Sequence, residues 1–158
     1  MSKIPSNVAS NGTRVRQATV ADLDLIVQLF DQYRQFYRFP SDPEGARRFL
    51  CDRFVHQQSV IFLACDCVEA AGFTQLYPSF SSGAMARIFV LNDLFVAPAA
   101  RGRGVGTALL DAAAEYGRRV GAVRLVLSTE LTNTTAQRLY EKTGWKRETV
   151  FCAYQLAL

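Results

Sequence analysis

Apolar residues recur along this chain with two different periods, and each change of period marks an element. Leu23, Ile26, Val27, Leu29 and Phe30 fall at helical spacing behind Thr19-Val-Ala-Asp22, which resembles a capping box with Asp in the usual Glu position. The pattern fades in the aromatic stretch "YRQFYRFP". Ser41-Asp-Pro-Glu then opens a second helix, with Pro43 suited to its first turn and the pattern running through Phe49 and Phe54. Residues 13–18 read as a short strand, and "SVIFLAC" and "EAAGFTQLYP" as two more around a turn near Asp66. "YPSFSSG" is a turn-rich junction before a strongly apolar strand over residues 87–97. The clearest helix follows, with Val105, Ala108, Leu109, Ala112, Tyr116 and Val120 on one face. Residues 123–129 predict a strand and 133–143 a short helix, with Thr132 or Asn133 as its cap and Gly144 as its stop. Strand character returns from Trp145 onward. The predicted order is β-α-α-β-β-β-α-β-α-β, a mixed α/β single domain over residues 13–158 behind a flexible polar tail, residues 1–12.

Composition narrows the setting. The chain has 158 residues, of which 49% are hydrophobic, which argues against disorder. No apolar run reaches the length of a membrane span, and the polar N-terminus lacks the apolar centre of a secretory signal; a cytoplasmic protein is expected. Cys51, Cys65, Cys67 and Cys152 read as small buried hydrophobes of an intracellular chain. No CxxC occurs and the single histidine, His56, has no partner histidine, so no metal is expected. The net charge of +4 is spread among acidic residues without a basic run, which disfavours nucleic acid and suits a small polyanion equally well.

Candidate chemistry concentrates in "RGRGVG", Arg101 to Gly106, where a strand gives way to the clearest helix. A dinucleotide fingerprint needs its third glycine where Thr107 stands, and a phosphate-binding P-loop needs a lysine that is missing here. Glycines nevertheless let a ligand approach the main chain, and the N–H groups of a helix's first turn, with the dipole behind them, favour an anion. Arg101 and Arg103 strengthen that site.

Arg101-x-x-Gly104-x-Gly106, following "LNDLFVAP", resembles the acetyl-CoA pyrophosphate loop of the GNAT superfamily of N-acetyltransferases. The downstream "NTTAQRLYEKTGW", with Asn133, Ala136, Leu139, Tyr140 and Gly144-Trp145, resembles that superfamily's second cofactor segment. The resemblance follows the element order from Thr13 to the C-terminus and is specific over about residues 91–145. It implies a mostly antiparallel sheet flanked by helices, with a splayed central strand pair that binds the cofactor. It implies direct transfer of the acetyl group of acetyl-CoA to a primary amine of a small molecule, such as a polyamine or amino acid. Alternatives are a protein amine as acceptor and a non-catalytic acyl-CoA sensor. Family members often dimerise, so a homodimer is among the implied partners; membrane and nucleic acid are not.

The implied cofactor contacts are Leu94, Phe95 and Val96 along the strand, Arg101, Gly102, Arg103, Gly104, Val105, Gly106 and Thr107 in the loop, and Asn133, Ala136 and Tyr140 on the short helix. Tyr140 matches the family's general acid, and the Val96 N–H is the implied oxyanion donor. Asp93 interrupts an apolar strand, where a carboxylate needs a partner or solvent, and by simple alternation shares a face with Leu91 and Phe95. "LNDLFV" is similar to the "LEDFFV"-like strand of the diamine acetyltransferase branch, whose acidic residues meet a cationic amine; Asn92 stands where that branch has glutamate. Glu130 is a second acidic candidate, with a capping role equally open. Tyr33, Phe36, Tyr37, Tyr77 and Phe80 lie in segments that border the family's acceptor site and offer an aromatic wall.

Overall fold

The computed structural model describes residues 7–8, 13–65 and 69–158. The turn expected near Asp66, Cys67 and most of the expected N-terminal tail lie outside the described residues. Two compact units, Met1–Ser128 and Thr129–Leu158, are taken in turn.

The first unit holds β1 (Asn7–Val8), β2 (Arg14–Gln17), α1 (Leu23–Phe36), α2 (Pro43–Val55), β3 (Val60–Cys65), β4 (Ala70–Ser81), β5 (Ala86–Val96), α3 (Val105–Arg119) and β6 (Arg124–Val126). The strands lie in chain order in one sheet, every described pair antiparallel except β5 with β6. A parallel pair needs a long crossover, and α3 supplies it. Within the expected tail, residues 7–8 thus form a short strand, paired to Arg14 and Val15.

Helix α1 begins where its polar signal places it. The Thr19 N–H donates to the Asp22 carboxylate at 2.9 Å, and Arg16 grips the same carboxylate at 2.8 and 2.6 Å. That grip holds the Asp22 carboxyl down at about 2. The helix then continues through the aromatic stretch where the pattern fades. Tyr33 packs edge-on against Phe73 and Phe95, with ring centres 6.0 and 6.4 Å apart, and this tertiary contact extends the helix to Phe36. Asp42 caps α2 by accepting from the Gly45 N–H at 2.8 Å, with Pro43 in the first turn.

Strand β4 runs to Ser81, so "YPSFSSG" is largely strand and the chain turns only after it. Pro78 pairs with Phe89 beyond the last β3 partner, Val60 opposite Leu76, where β4 has a free edge and a missing N–H is tolerated. Between β4 and β5 the register shifts: Gln75 faces Asp93, but Leu76 faces Leu91. Asn92 is the extra residue of a bulge, and the bulge reverses the alternation. Asp93 therefore keeps Phe95 on its face, as expected, while Leu91 points to the opposite one.

The Asp93 face joins the main core. Ile61, Leu63, Phe73 and Phe95 pack there with Ile26, Phe30 and Leu50 from α1 and α2. Phe73 has no exposure, and truncating such a ring to alanine typically costs about 3–5 kcal/mol. On the other face Phe62 and Phe89 meet Tyr116 of α3, with ring centres 5.7 and 5.5 Å away.

The second unit holds α4 (Thr134–Lys142). Asn133 caps it by accepting from the Ala136 N–H at 3.2 Å. Gly144, at φ 88°, ends it in a paired stop: its N–H reaches the Glu141 carbonyl and the Trp145 N–H reaches the Tyr140 carbonyl, at 3.1 and 3.0 Å. The strand expected from Trp145 onward does not form among the described residues. The Glu148 carboxylate instead takes the N–H groups of Thr149 and Val150, at 2.8 and 2.6 Å, and leaves Phe151 and Tyr154 exposed.

Candidate active site

The site begins at an open strand edge. The Ala97 N–H donates to the Ala71 carbonyl at 2.9 Å, so the antiparallel alternation turns the main-chain groups of Val96 and Leu94 away from β4. On that side β6 pairs only with Ile88, Phe89 and Val90. From Leu91 to Val96 the edge of β5 has no strand partner among the described residues, so the N–H and C=O of Leu94 and the N–H of Val96 face a space where an extended ligand could pair with them. Gly72 lies opposite Val96, and a Cβ there would stand 2.5 Å from the Phe95 carbonyl oxygen; only glycine lets β4 approach this closely.

The edge runs directly into the glycine turn. Gly102 and Gly104 take φ of 74° and 80°, a conformation that suits glycine, and Gly104 is the N-cap of α3. The Ala108 N–H closes the first helical bond, to the Gly104 carbonyl at 3.0 Å. The N–H groups of Val105, Gly106 and Thr107 precede it and have no place in the helical ladder. No side chain caps this end, and its first turn carries no acidic residue. A bare helix N-terminus with Arg103 beside it fits a diphosphate. Arg101 behaves differently: its Nε donates to the Val96 carbonyl at 3.1 Å, and its guanidinium lies 5.8 Å from the Phe95 ring centre and 6.0 Å from that of Phe36. Arg101 thus turns back over the end of β5.

Beside this edge, on the α1 face, sits a buried polar cluster. Asp93 is 3% exposed. Its Oδ2 accepts from Gln75 Nε2 at 2.8 Å and its Oδ1 from Asn92 Nδ2 at 3.1 Å, with Tyr33 a further donor. Burial pushes the Asp93 carboxyl above the ordinary range, and these three donors only partly offset it. No cation pairs with Asp93 among the described residues. Gln75 Nε2 also donates to the Tyr77 hydroxyl at 2.7 Å. Burial, and then the Asp93 charge, push the Tyr77 phenol up to about 12.

Several expected residues meet here. Tyr33, Tyr37 and Phe36 form a chain of edge-on rings, with centres 5.1 and 5.2 Å apart, linked through Tyr33 to Phe95. Tyr77 joins through Gln75. Phe80 does not: it pairs under Arg87 near the far end of the β4–β5 hairpin, five strand positions or roughly 17 Å from Gln75. In the second unit, Ala136 and Tyr140 share a face of α4, and the Tyr140 ring lies 6.1 Å from that of Trp145. Glu130 is exposed and accepts from the Thr132 hydroxyl at 3.4 Å in the turn before α4. Gln75 and Ser59 are members of the cluster that the sequence pattern passed over. The lone amide within the apolar run "AAGFTQLY" was the available signal. Among the described residues no group of acidic, Cys and His side chains is arranged to hold a metal ion, and no helix is long and apolar enough to cross a membrane.

An open strand edge leading to an uncapped helix N-terminus suits the extended, diphosphate-bearing arm of coenzyme A, as an acyltransferase of the coenzyme A-dependent kind would require. Comparison with known proteins gives the family. The model of the GNAT acetyltransferase family matches residues 26–145. An uncharacterised N-acetyltransferase of Bacillus subtilis, YhfO, is 49% identical over 142 residues, covering 90% of this chain and 95% of its own. An aminoalkylphosphonate N-acetyltransferase of Salmonella typhimurium is 31% identical and covers 84% of each chain. A crystal structure of a probable acetyltransferase superposes with a TM-score of 0.87 at 43% identity, over 92% of this chain and 97% of the other. The chain belongs to the GNAT acetyltransferase family: it is an N-acetyltransferase, and acetyl-CoA is its acetyl donor.

Proposed function

We propose that this enzyme acetylates the primary amine of a small molecule that carries polar or charged groups of its own, such as an amino acid or a similar metabolite. The observation that carries the reading is the juxtaposition on β5: Asp93, buried among hydroxyl and amide groups, stands one residue before the open edge at Leu94 to Val96. The named activity of the Salmonella relative, on aminoalkylphosphonates, supports a small acceptor.

In this reading acetyl-CoA supplies the activated acetyl group, and the chain does the rest. The open N–H and C=O groups of Leu94 align the extended arm of the donor, and the first turn of α3 with Arg103 takes its diphosphate. The Val96 N–H stabilises the charge that develops on the acetyl oxygen; one such donor is typically worth about 2.7–4 kcal/mol. Asp93 accepts the proton of the incoming ammonium indirectly, through a hydroxyl or water, because its own carboxyl is covered. Tyr140 returns a proton to the departing thiolate. Tyr33 and Tyr37 border the acceptor.

The test is a panel of amino acids, aminoalkylphosphonates, polyamines and lysine peptides, assayed for free thiol released from acetyl-CoA. Turnover of a small amine with kcat/KM at least about tenfold above every peptide is expected, a preference of about 1.4 kcal/mol. Preference for a peptide amine would overturn the reading.

A further inference from the structure

Gln75 has no exposed surface, and burying an amide within a sheet is costly unless every polar atom is used. Here it is. An amide offers two N–H donors and an acceptor oxygen. Ser59 Oγ donates to Oε1 at 3.0 Å, while Nε2 stands 2.8 Å from Asp93 Oδ2 and 2.7 Å from the Tyr77 oxygen, one hydrogen for each. Turned over, the amide would set its oxygen against an ionised carboxylate that has no proton to donate. The Ser59 hydroxyl and the Asp93 charge therefore select the same orientation. Because the Tyr77 oxygen already accepts from Gln75, its own hydrogen remains a donor to something else.

From these contacts we infer that Gln75 is a positioning residue of the acetyl transfer, which orients the Asp93 carboxylate, favours its ionised form and keeps the Tyr77 hydroxyl as an outward donor. This rests on the reading above in one respect, that Asp93 serves the acceptor amine. The groups around Asp93 agree with such a role. Tyr33 from α1, Tyr77 and Gln75 from β4 and Asn92 within β5 surround it; the charge of Arg53 on α2 acts on Tyr77, and Arg101 lies beyond Phe95. Gln75 is the member that bonds both Asp93 and Tyr77.

The experiment follows the Asp93 carboxyl by NMR of carbon-13-labelled aspartate in the free protein, together with the pH profile of kcat/KM for the acceptor amine. Gln75→Met keeps the length but removes the donors. It is expected to raise the Asp93 midpoint by about one pH unit, a tenfold change in its protonation equilibrium, and to carry the acid limb of kcat/KM with it. The KM for acetyl-CoA should stay unchanged. Gln75→Glu sets a second carboxyl against the first and should raise the midpoint further. Ser59→Ala frees the amide to turn and should give a smaller rise in the same direction, which keeps the test available if the Gln75 variants fold poorly. An unchanged midpoint in the folded variants overturns the inference, as does a midpoint that moves without the limb. Absence of turnover of any amine by the unaltered enzyme counts against the acceptor reading instead, and the NMR midpoint then still decides whether Gln75 governs Asp93.

Discussion

Asp31 and Asp93 are two carboxylates with little exposed surface, 7% and 3%, and each accepts several hydrogen bonds, but Asp93 lies much deeper in the protein and loses more solvation. Their acidities move in opposite directions. Asp31 ties α1 to the start of α2: Gln35, the Ser41 hydroxyl and the Asp42 N–H donate to it at 2.9, 2.7 and 2.8 Å. Burial pushes its carboxyl up, but those donors and Arg34, 3.9 Å away, outweigh burial and leave it below the ordinary range. Asp93 has only neutral side-chain donors, and burial wins. Asp31, which ties two helices together, is charge-compensated, whereas Asp93, inexpensive to protonate beside the open strand edge, suits the proton chemistry proposed for it.

The strongest way to break this comparison is to neutralise each acid in turn. Asp93→Asn keeps the shape and should lower kcat/KM for the amine by roughly a hundredfold or more, the typical weight of a proton-transfer group, with KM for acetyl-CoA little changed. Asp31→Asn should leave kcat/KM within a few-fold. Equal losses in the two variants would erase the distinction. Next in size, Asp31→Ala strands the Ser41 and Asp42 donors and should cost about 3 kcal/mol in urea unfolding, the upper range for bonds to a charged group. Asp93→Asn should cost far less.

The smallest and sharpest effect is in the pH dependence of Tm. Asp22 and Asp31 have lowered folded pKa values, so the stability they confer is complete above the ordinary carboxylate range and is lost as pH falls through their folded values, which for Asp22 is about 2. Asp93 is raised, so its ionisation destabilises the fold progressively as pH rises from the ordinary range through its folded value. The Tm difference between Asp93→Asn and the unaltered protein should therefore grow more positive with rising pH, and that of Asp31→Asn more negative. Parallel slopes would show that the two sites share one electrostatic character.

Much of the fold was legible because its signals are local. The Thr19–Asp22 box, the Asp42 and Asn133 caps, Pro43 in a first turn and Gly144 at a stop each act within a few residues, and all stand where their spacing puts them. The glycine turn was legible for the same reason, since a positive φ at Gly102 and Gly104 and the free N–H groups of α3 belong to the main chain itself. The clustering of Tyr33 and Tyr77 around Asp93 was glimpsed only through resemblance, and Gln75 was missed because an amide in a strand announces no partner.

By itself the sequence determined the helices, most of their ends, the glycine turn before α3 and most of the apolar strands, because each depends on neighbours along the chain. Tertiary structure alone decided the rest. It carried β4 through Pro78, left residues beyond Trp145 without a strand partner among the described residues, and set Asn92 as the bulged residue. That bulge turns Asp93 toward α1 and away from the face of Leu91. A strand's pairing and register are settled by what lies across the sheet, so a residue's face, its partners and its acidity follow from contacts that sequence spacing does not encode.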